Sequence, residues 1–328
     1  MAKSIFLGGQ ACHTVYSAQQ IAELEKIAGL SADIVTKENF FEHDFSDTEY
    51  IFSTWGMLEF DEKMFAQMPK LKALFYAAGA TDRFAMPFLE RGIKVSSAWT
   101  ANAIPVAEFA TAQIILSLKD YFRFMRNMTN PEARKMPRTC PGVYGETVAL
   151  IGSGTISTLV KKMLESNYNV NVLTVHSLPG KRDISIEEAF KKAYVVSNHL
   201  FNAENNQKCL KKEHFLSMRE NATFINTGRG HQVDETGFLE AMKERPDLTA
   251  LLDVTFPEPP EEGSLMYTLP NIHLTPHIAG SMNDELYRMA AFMIEEFKQF
   301  ETTGTLKYEV TKEMLELCPA VQNKENKK

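Results

Sequence analysis

Residues 147–167, TVALIGSGTISTLVKKMLESN, decide the fold. The apolar, β-prone run 147–151 predicts a buried strand. A helix follows, with its apolar residues at the spacing of one face: Ile156, Leu159, Val160 and Met163. In the turn between them, Gly152 permits a sharp bend and Gly154 allows the backbone to approach a pyrophosphate at a helix N-terminus. The stretch therefore predicts a dinucleotide-binding strand, turn and helix.

The turn departs from the full G-x-G-x-x-G pattern because Ser157 replaces the third glycine. Serine is still small enough for the helix to pack closely on the strand. Taken alone, such a turn could be a plain strand-to-helix connection. Its place at the head of several βα units favours the dinucleotide interpretation.

Further β-prone runs follow the turn and end in polar residues. They are NATFIN (221–226), TALLDV (249–254) and NIHLTPH (271–277), and the helical pattern VDETGFLEAMKERP (233–246) separates the first two. Strand, helix and strand with short connections form the βαβ unit, whose ligands bind at the carboxyl ends of the strands. We therefore expect Asp253 at one such end and Arg229 just past another.

Arg229, Glu258 and His277 have the chemistry of 2-keto acid reduction. Hydride transfer to the carbonyl carbon builds negative charge on oxygen, which needs a proton donor such as histidine. A neighbouring carboxylate keeps an imidazole protonated, and Glu258 is the candidate. A guanidinium binds a carboxylate through two parallel hydrogen bonds and can polarise the carbonyl, which is the role expected of Arg229. Singly, each residue could instead be structural or solvated.

The strand VNVLTV (170–175) should end at the residue that contacts the adenosine ribose. NAD-binding units usually carry Asp or Glu there, whereas this chain has His176 and Ser177, followed by Lys181 and Arg182. No acid is present to repel a 2′-phosphate, so NAD and NADP are both allowed. The two basic residues could equally belong to a solvated turn.

From about residue 71 to 295 the chain resembles the D-isomer-specific 2-hydroxyacid dehydrogenases, the family of phosphoglycerate dehydrogenase, glyoxylate/hydroxypyruvate reductase and D-lactate dehydrogenase. The segments that carry the resemblance keep the family's order and spacing: LKALFYAAGATD, RGIKVSSAWTANAIPVAEFA, VALIGSGTIS, SNHLFNAENNQKCL, MRENATFINTGRGHQVDETGFLEAM, ALLDVTFPEPP and LPNIHLTPHIAGSM.

The resemblance implies a role for particular residues of this chain. Arg229, Glu258 and His277 fall on the family's catalytic residues, and the amides of Gly79 and Ala80 fall on the loop that binds the substrate carboxylate. Asp253 falls beside the nicotinamide carboxamide. The remaining expected cofactor-binding residues are Gly152, Gly154, Thr155, Ile156, His176, Ser177 and Thr227. Departures are Ser157, His176, Phe201 where HLP is usual, and the alanines that flank Gly79.

The sequence predicts an α/β protein with two Rossmann-like domains, each a doubly wound parallel sheet. We expect a flavodoxin-like substrate domain from residues 1–100 and 296–328, and a dinucleotide-binding Rossmann domain from 101–295. By resemblance, the active site lies in the interdomain cleft. The stretch 102–125 predicts one long helix, with Pro105 tolerated only in its first turn. The resemblance implies that this helix packs in a homodimer.

Composition limits the possible partners. A net charge of −7 without a basic cluster in the folded part argues against nucleic acid or an anionic membrane. We expect no segment to span a membrane. No cysteine pair has a metal or disulfide spacing, which favours the cytoplasm. His273 and His277 would lie about 13 Å apart on an extended segment, so no metal site is expected.

The expected activity is an NAD(P)-dependent D-2-hydroxyacid dehydrogenase that acts on a small 2-keto or 2-hydroxy acid. One alternative is a dinucleotide-sensing binding protein on the same fold, similar to transcriptional corepressors that resemble this family. Formate dehydrogenase is disfavoured because it places a glutamine shortly before the histidine, where this chain has Leu274, Thr275 and Pro276.

Overall fold

The computed structural model describes residues 3–317. By its contacts the chain divides into two compact units, unit 1 with residues 1–103 and 281–328 and unit 2 with residues 104–280. The sequence placed the second boundary at 295/296, whereas the contacts place it at 280/281. The physical reason is the long helix that begins at Asp284, which packs against the strands of unit 1 from its first turn. Residues 318–328 of the expected substrate domain lie outside the described part.

Every strand in the described residues belongs to one of two sheets. The strands are β1 Ser4–Leu7, β2 Leu30–Val35, β3 Tyr50–Ser53, β4 Ala73–Tyr76, β5 Lys94–Ser97, β6 Thr147–Ile151, β7 Asn171–Val175, β8 Val195–Asn198, β9 Thr223–Asn226, β10 Thr249–Leu252 and β11 Ile272–Leu274. All pairings between them are parallel. The α/β fold class with two parallel sheets is therefore confirmed.

The α-helices connect these strands. They are α1 Ala11–Val15, α2 Ala18–Ala28, α3 Glu62–Ala66, α4 Met86–Glu90, α5 Trp99–Leu118, α6 Tyr121–Asn127, α7 Thr155–Asn167, α8 Ile186–Lys192, α9 Lys212–Leu216, α10 Glu235–Glu244, α11 Asp284–Thr303 and α12 Lys312–Leu317. Parallel neighbours need such crossover connections, which cover both faces of each sheet.

Unit 1 contains a five-stranded sheet in the order β2-β1-β3-β4-β5, the flavodoxin-like arrangement. An aromatic core lies between the sheet and α11, where Phe52 and Phe75 stack and both contact Phe297. On α11, the buried carboxylate of Glu296 accepts hydrogen bonds from Ser96 and from the amides of residues 307 and 308. This contact holds the returning chain against the edge strand β5.

Unit 2 contains a six-stranded sheet in the order β11-β10-β9-β8-β6-β7. The strand order reverses at β6, which pairs with β7 on one side and β8 on the other. Ligands of doubly wound sheets bind outside the carboxyl ends of the strands at such a switch point. The glycine turn that follows β6 lies there.

The expected continuous helix over residues 102–125 is wrong. Helix α5 begins earlier, at Trp99, and ends at Leu118, and Asp120 then adopts a left-handed conformation with φ of 52° before α6. The buried carboxylate of Asp120 pairs with Arg123 and with the hydroxyl of Tyr194, which compensates the unusual backbone. Because α5 starts at Trp99, Pro105 is its seventh residue and lies beyond the first turn.

Helix α5 is the segment of the described residues that bears on the expectation of no membrane span. It is long and apolar enough to cross a membrane by length and composition, and half of its apolar window is buried within the protein. Core helices of soluble proteins pass the same test, so this is weak evidence for a span.

Cys12, Cys140 and Cys209 are free thiols, and Cys318 lies outside the described residues.

Candidate active site

The turn after β6 has room for an anion at the N-terminus of α7. Gly152 has a φ of +123°, and a Cβ there would lie 2.6 Å from the carbonyl oxygen of His199, so only glycine fits. Gly154 precedes the helix in extended conformation, and a Cβ built on it meets no atom within 4 Å. Thr155 and Ile156 form the first turn of α7. The open backbone and the unpaired helical amides fit a pyrophosphate.

Ser157, the departure from the third glycine, fits this turn. It is buried, and its hydroxyl donates a 2.7 Å hydrogen bond to the carbonyl of Gly152. The extra oxygen is therefore satisfied inside the turn, and α7 keeps its close approach to β6.

At the end of β7, the backbone and the side chains form a small hydrogen-bonded loop. The hydroxyl of Ser177 accepts from the amide of Ser153 at 2.9 Å, which ties this loop to the glycine turn. Nδ1 of His176 accepts from the amide of Leu178, and Nε of Arg182 donates to the carbonyl of His176 at 3.0 Å. Arg182 is thus held at the strand end where the adenosine ribose is expected.

Arg229 follows β9 in a loop fixed by buried amide side chains. Oε1 of Gln232 accepts from the amide of Arg229 at 3.1 Å and from Nδ2 of Asn198 at 2.7 Å. Asn226 accepts from Asn198 and donates to the carbonyl of Arg229. Nε2 of Gln232 donates to the carbonyls of Leu200 and Phe201. This amide network of Asn198, Asn226 and Gln232 sets the backbone of Arg229.

The Arg229 loop packs directly on the segment that carries Glu258. A Cβ at Gly230 would lie 2.0 Å from the carbonyl carbon and oxygen of Thr255, a distance that no side chain tolerates. The Arg229 side chain is half-buried, and its Nη1 donates to the carbonyl of Gly228 at 2.8 Å. Gly230 therefore brings the arginine loop against the glutamate segment.

Glu258 and His277 form a hydrogen-bonded pair. Nδ1 of His277 lies 2.6 Å from Oε1 of Glu258, with both side chains accessible to solvent at 53% and 41%. His277 has a φ of +54°, an unusual conformation for a non-glycine residue that needs support from its surroundings. Since Nδ1 is engaged, Nε2 is the nitrogen available to a ligand.

Asp253 supplies the support for the segment around His277. It is buried, one residue after β10, and its Oδ1 accepts from the hydroxyl of Thr275 at 2.6 Å and from the amide of Ile278 at 2.9 Å. Its Oδ2 accepts from the amide of Ala279, also at 2.9 Å. Residues on both sides of His277 are thereby anchored to one carboxylate.

His199 lies beside the glycine turn and is buried. Its Nε2 lies 2.9 Å from the hydroxyl of Ser197 and its Nδ1 lies 3.3 Å from that of Thr227. Burial lowers the pKa of His199 to about 4, so the ring is neutral at physiological pH. Thr227, expected to bind the cofactor, is in contact with this neutral ring.

Gly79 and Ala80 lie in unit 1, in the loop that follows β4. Hydroxyl groups hold the carbonyls of this loop: Thr54 donates to Ala77 at 2.8 Å, and Ser97 donates to Ala78 at 2.7 Å and Gly79 at 2.8 Å. Within residues 3–317, neither the amide of Gly79 nor that of Ala80 donates to a backbone carbonyl. Both amides are thus available to an anion.

Sequence reasoning missed the residues that hold the backbone of the candidate site. Asn198, Gln232 and Ser97 were not singled out, although each is completely buried. Polar residues at the end of a buried strand, as in VVSN of β8, are the signal that could have identified Asn198.

Comparisons with known proteins agree with this arrangement. The family model for "D-isomer specific 2-hydroxyacid dehydrogenase, NAD binding domain" matches residues 111–279. The glycerate dehydrogenase of Methylorubrum extorquens is 24% identical over 298 residues, which cover 82% of this chain and 93% of that protein.

Solved structures show the same fold at low identity. An NAD⁺-bound 3-phosphoglycerate dehydrogenase of Entamoeba histolytica has a TM-score of 0.68 at 18% identity, covering 95% of this chain and 99% of that one. An NADPH-dependent glyoxylate/hydroxypyruvate reductase of Sinorhizobium meliloti has a TM-score of 0.71 at 18% identity, covering 94% and 97%.

Proposed function

We propose a reaction and a set of catalytic residues for this chain, which belongs to the D-isomer specific 2-hydroxyacid dehydrogenases. The family makes it an oxidoreductase that uses NAD or NADP. The proposed reaction is reduction of a small 2-keto acid to the D-2-hydroxy acid. The observation that carries this proposal is the contact between His277 and Glu258 in the unit that also holds the dinucleotide turn.

His277 is the proposed proton donor. When bound, the reduced nicotinamide supplies the hydride that adds to the carbonyl carbon of the substrate. Nε2 of the protonated His277 donates its proton to the carbonyl oxygen as negative charge develops there. Glu258 orients the ring through Nδ1 and stabilises its cationic form. The ring returns to the neutral state and takes a proton from solvent before the next turnover.

Arg229 and the loop after β4 are the proposed carboxylate-binding groups. One nitrogen of the guanidinium contacts the carbonyl of Gly228, and the others can bind a carboxylate with two parallel hydrogen bonds. In unit 1, the amides of Gly79 and Ala80 are proposed to bind the substrate carboxylate, as the family resemblance implies. A positive guanidinium near the carbonyl would also stabilise the developing charge on oxygen.

NADPH is the proposed physiological cofactor. The residues directly after β7 are His176 and Ser177, so no carboxylate stands at the strand end to bond the ribose hydroxyl or repel a phosphate. Arg182 is held there by the His176 carbonyl. A guanidinium there can bind a 2′-phosphate. NAD and NADP carry the same pyrophosphate, which the glycine turn would bind in either case. The preference between them is therefore set by the residues near the adenosine ribose.

A homodimer is the proposed assembly, through unit 2. Tyr121 and Met125 on α6 and Met128 directly after it are spaced as on one helical face, and the residues are 47%, 52% and 55% exposed. Leu116 near the end of α5 and Tyr144 are also exposed. Grouped apolar side chains of this kind are typical of a protein interface.

A cytoplasmic location stays a prediction.

The proposed function is tested with purified protein and a panel of 2-keto acids that includes glyoxylate, hydroxypyruvate, pyruvate, phosphohydroxypyruvate and branched or aromatic acids. Loss of NADH or NADPH absorbance measures turnover, and chiral analysis identifies the product. His277→Ala should lower kcat by about 10² to 10⁴ while the dinucleotide still binds. Tight cofactor binding without turnover of any acid would favour the dinucleotide-sensing protein instead.

A further inference from the structure

Ser97, at the end of β5, makes an unusual pair of contacts with the loop after β4. Its side chain is completely buried, and its hydroxyl lies 2.7 Å from the carbonyl oxygen of Ala78 and 2.8 Å from that of Gly79. A hydroxyl has one proton, so the two consecutive carbonyls share it. The carbonyl groups of two successive residues therefore point at the same hydroxyl oxygen, that of Ser97.

Because the peptide groups are planar and trans, the direction of these carbonyls also fixes the direction of the amides that follow them. In a trans peptide, the C=O of one residue and the N–H of the next point in opposite directions. With the carbonyl of Ala78 directed at Ser97, the amide of Gly79 points away from Ser97. The same relation holds for the carbonyl of Gly79 and the amide of Ala80. Both N–H groups thus face the same side of the loop.

Two adjacent amides that face one side form an anion-binding site, because their partial positive charges add. Neither amide donates to a backbone carbonyl of residues 3–317. The site is also open, since a Cβ built on Gly79 would meet only Nδ2 of Asn102, at 3.8 Å. The loop is anchored on its other flank by Thr54, which donates to the carbonyl of Ala77.

We propose that Ser97 is a positioning residue whose hydroxyl holds the Gly79 and Ala80 amides in the orientation that binds the substrate carboxylate. This inference rests on the proposed function, in which these amides bind that group. Without the hydroxyl, the two carbonyls lose their shared donor and either peptide can rotate toward another partner. The binding site for the carboxylate would then need to be reordered whenever substrate binds.

The test compares Ser97→Ala with Ser53→Ala. Ser53 is an equally buried serine at the end of β3, and its hydroxyl donates to the carbonyl of Leu7 at the end of β1 in the same sheet. Each substitution removes one buried hydroxyl, which Ser97→Ala takes from the carbonyls of Ala78 and Gly79 and Ser53→Ala takes from that of Leu7, so both variants should lose thermal stability. Only Ser97→Ala should affect carboxylate binding.

The expected result is a roughly 10-fold rise in KM for the best keto acid with Ser97→Ala, from the loss of one or two hydrogen bonds to a charged group. Binding of oxamate, an unreactive carboxylate, to the protein with NADH or NADPH should weaken equally, whereas dinucleotide affinity and kcat should change less than about 3-fold. Ser53→Ala should leave the KM and the oxamate affinity near wild type.

The proposal is overturned if Ser97→Ala keeps the wild-type KM and oxamate affinity, or if Ser53→Ala raises them to the same extent. Failure of the proposed function looks different, because the wild-type protein would then reduce no keto acid in the panel. Turnover of a keto acid by the wild-type protein must therefore be shown first. The Ser97→Ala and Ser53→Ala variants are compared after that.

Discussion

Oδ2 of Asp253 accepts a 2.9 Å hydrogen bond from the amide of Ala279, two residues beyond His277. Since Oδ1 accepts from Thr275 and Ile278, both oxygens of this buried carboxylate contact the segment that carries the proposed acid. The sequence assigned Asp253 to the nicotinamide carboxamide, a role that stays a prediction. The contacts within unit 2 favour a role in positioning His277.

Asp253→Asn separates these two roles. The amide oxygen of asparagine can keep one set of contacts, but its NH₂ group would face a backbone N–H and leave it unsatisfied, at about 1 to 3 kcal/mol. We expect kcat to fall about 10-fold or more, with dinucleotide affinity changed less than about 3-fold. Fluorescence titration of NADH or NADPH measures the latter. A loss of dinucleotide affinity as large as the loss of kcat would instead support the nicotinamide role.

The strands of this chain could be predicted closely because their sequence patterns are local. The strand expected at 147–151 is β6 over the same residues, and the helix after it is α7. The break at Asp120 could not be predicted, because its left-handed backbone depends on Tyr194, 74 residues later. The contacts of Asp253 and Gln232 likewise join residues that are adjacent only after the sheet has formed.

Gln232→Leu tests the amide network behind Arg229. Leucine has a similar volume but leaves the Arg229 amide, Nδ2 of Asn198 and the carbonyls of residues 200 and 201 without Gln232, which should cost about 2 kcal/mol or more in stability. With the backbone of Arg229 released, KM for the keto acid should rise more than kcat falls. Urea unfolding and steady-state kinetics measure both effects.

The control for this variant is Gln299→Leu on α11, where the glutamine is part-exposed and makes only a weak contact to the carbonyl of Thr305. It should change neither stability nor kinetics appreciably. If Gln232→Leu is as stable and as active as wild type, the network does not hold the Arg229 loop.

His199 makes the stability of the protein depend on pH. Its ring has a pKa of about 4 in the fold and about 6.5 when unfolded, so between these values the unfolded state binds more protons and stability falls as pH falls. The contribution of the neutral His199 ring to the free energy of unfolding is complete above about pH 6.5 and is lost by about pH 4. The shift corresponds to a change on the order of 3 kcal/mol.

His199→Asn should reduce the slope of unfolding free energy against pH in this window. The variant will be less stable at pH 7.5, because Ser197 and Thr227 lose contacts with the ring. The informative quantity is the difference between variant and wild type, which should shrink as pH is lowered from 7 to 5. Parallel curves in urea unfolding at several pH values would show that His199 is not the group that titrates.

Cofactor preference depends on the basic residues after β7. Replacing Lys181 and Arg182 by alanine should raise KM for NADPH about 10-fold and change KM for NADH less than about 2-fold, because only NADPH carries the 2′-phosphate. Ser177 is left in place, since its hydroxyl supports the amide of Ser153. Lys191→Ala/Lys192→Ala on α8 removes the same charge elsewhere as a control. Equal effects on both cofactors would identify residues 181 and 182 as a solvated turn.

The sharpest test of mechanism concerns Glu258, whose Oε1 lies 2.6 Å from Nδ1 of His277. Nε2 of the protonated ring is the proposed donor to the carbonyl oxygen, and the carboxylate at Nδ1 orients the ring during that transfer. Glu258→Gln keeps the shape but removes the negative charge beside the ring, so kcat for keto acid reduction should fall about 10-fold or more while dinucleotide affinity changes less than about 3-fold. Glu262→Gln, an exposed carboxylate four residues away, is the matched control and should leave kcat unchanged. With hydride transfer shown to be rate-limiting by a deuterium isotope effect, a kcat of Glu258→Gln equal to that of the wild type would remove Glu258 from the acid pair.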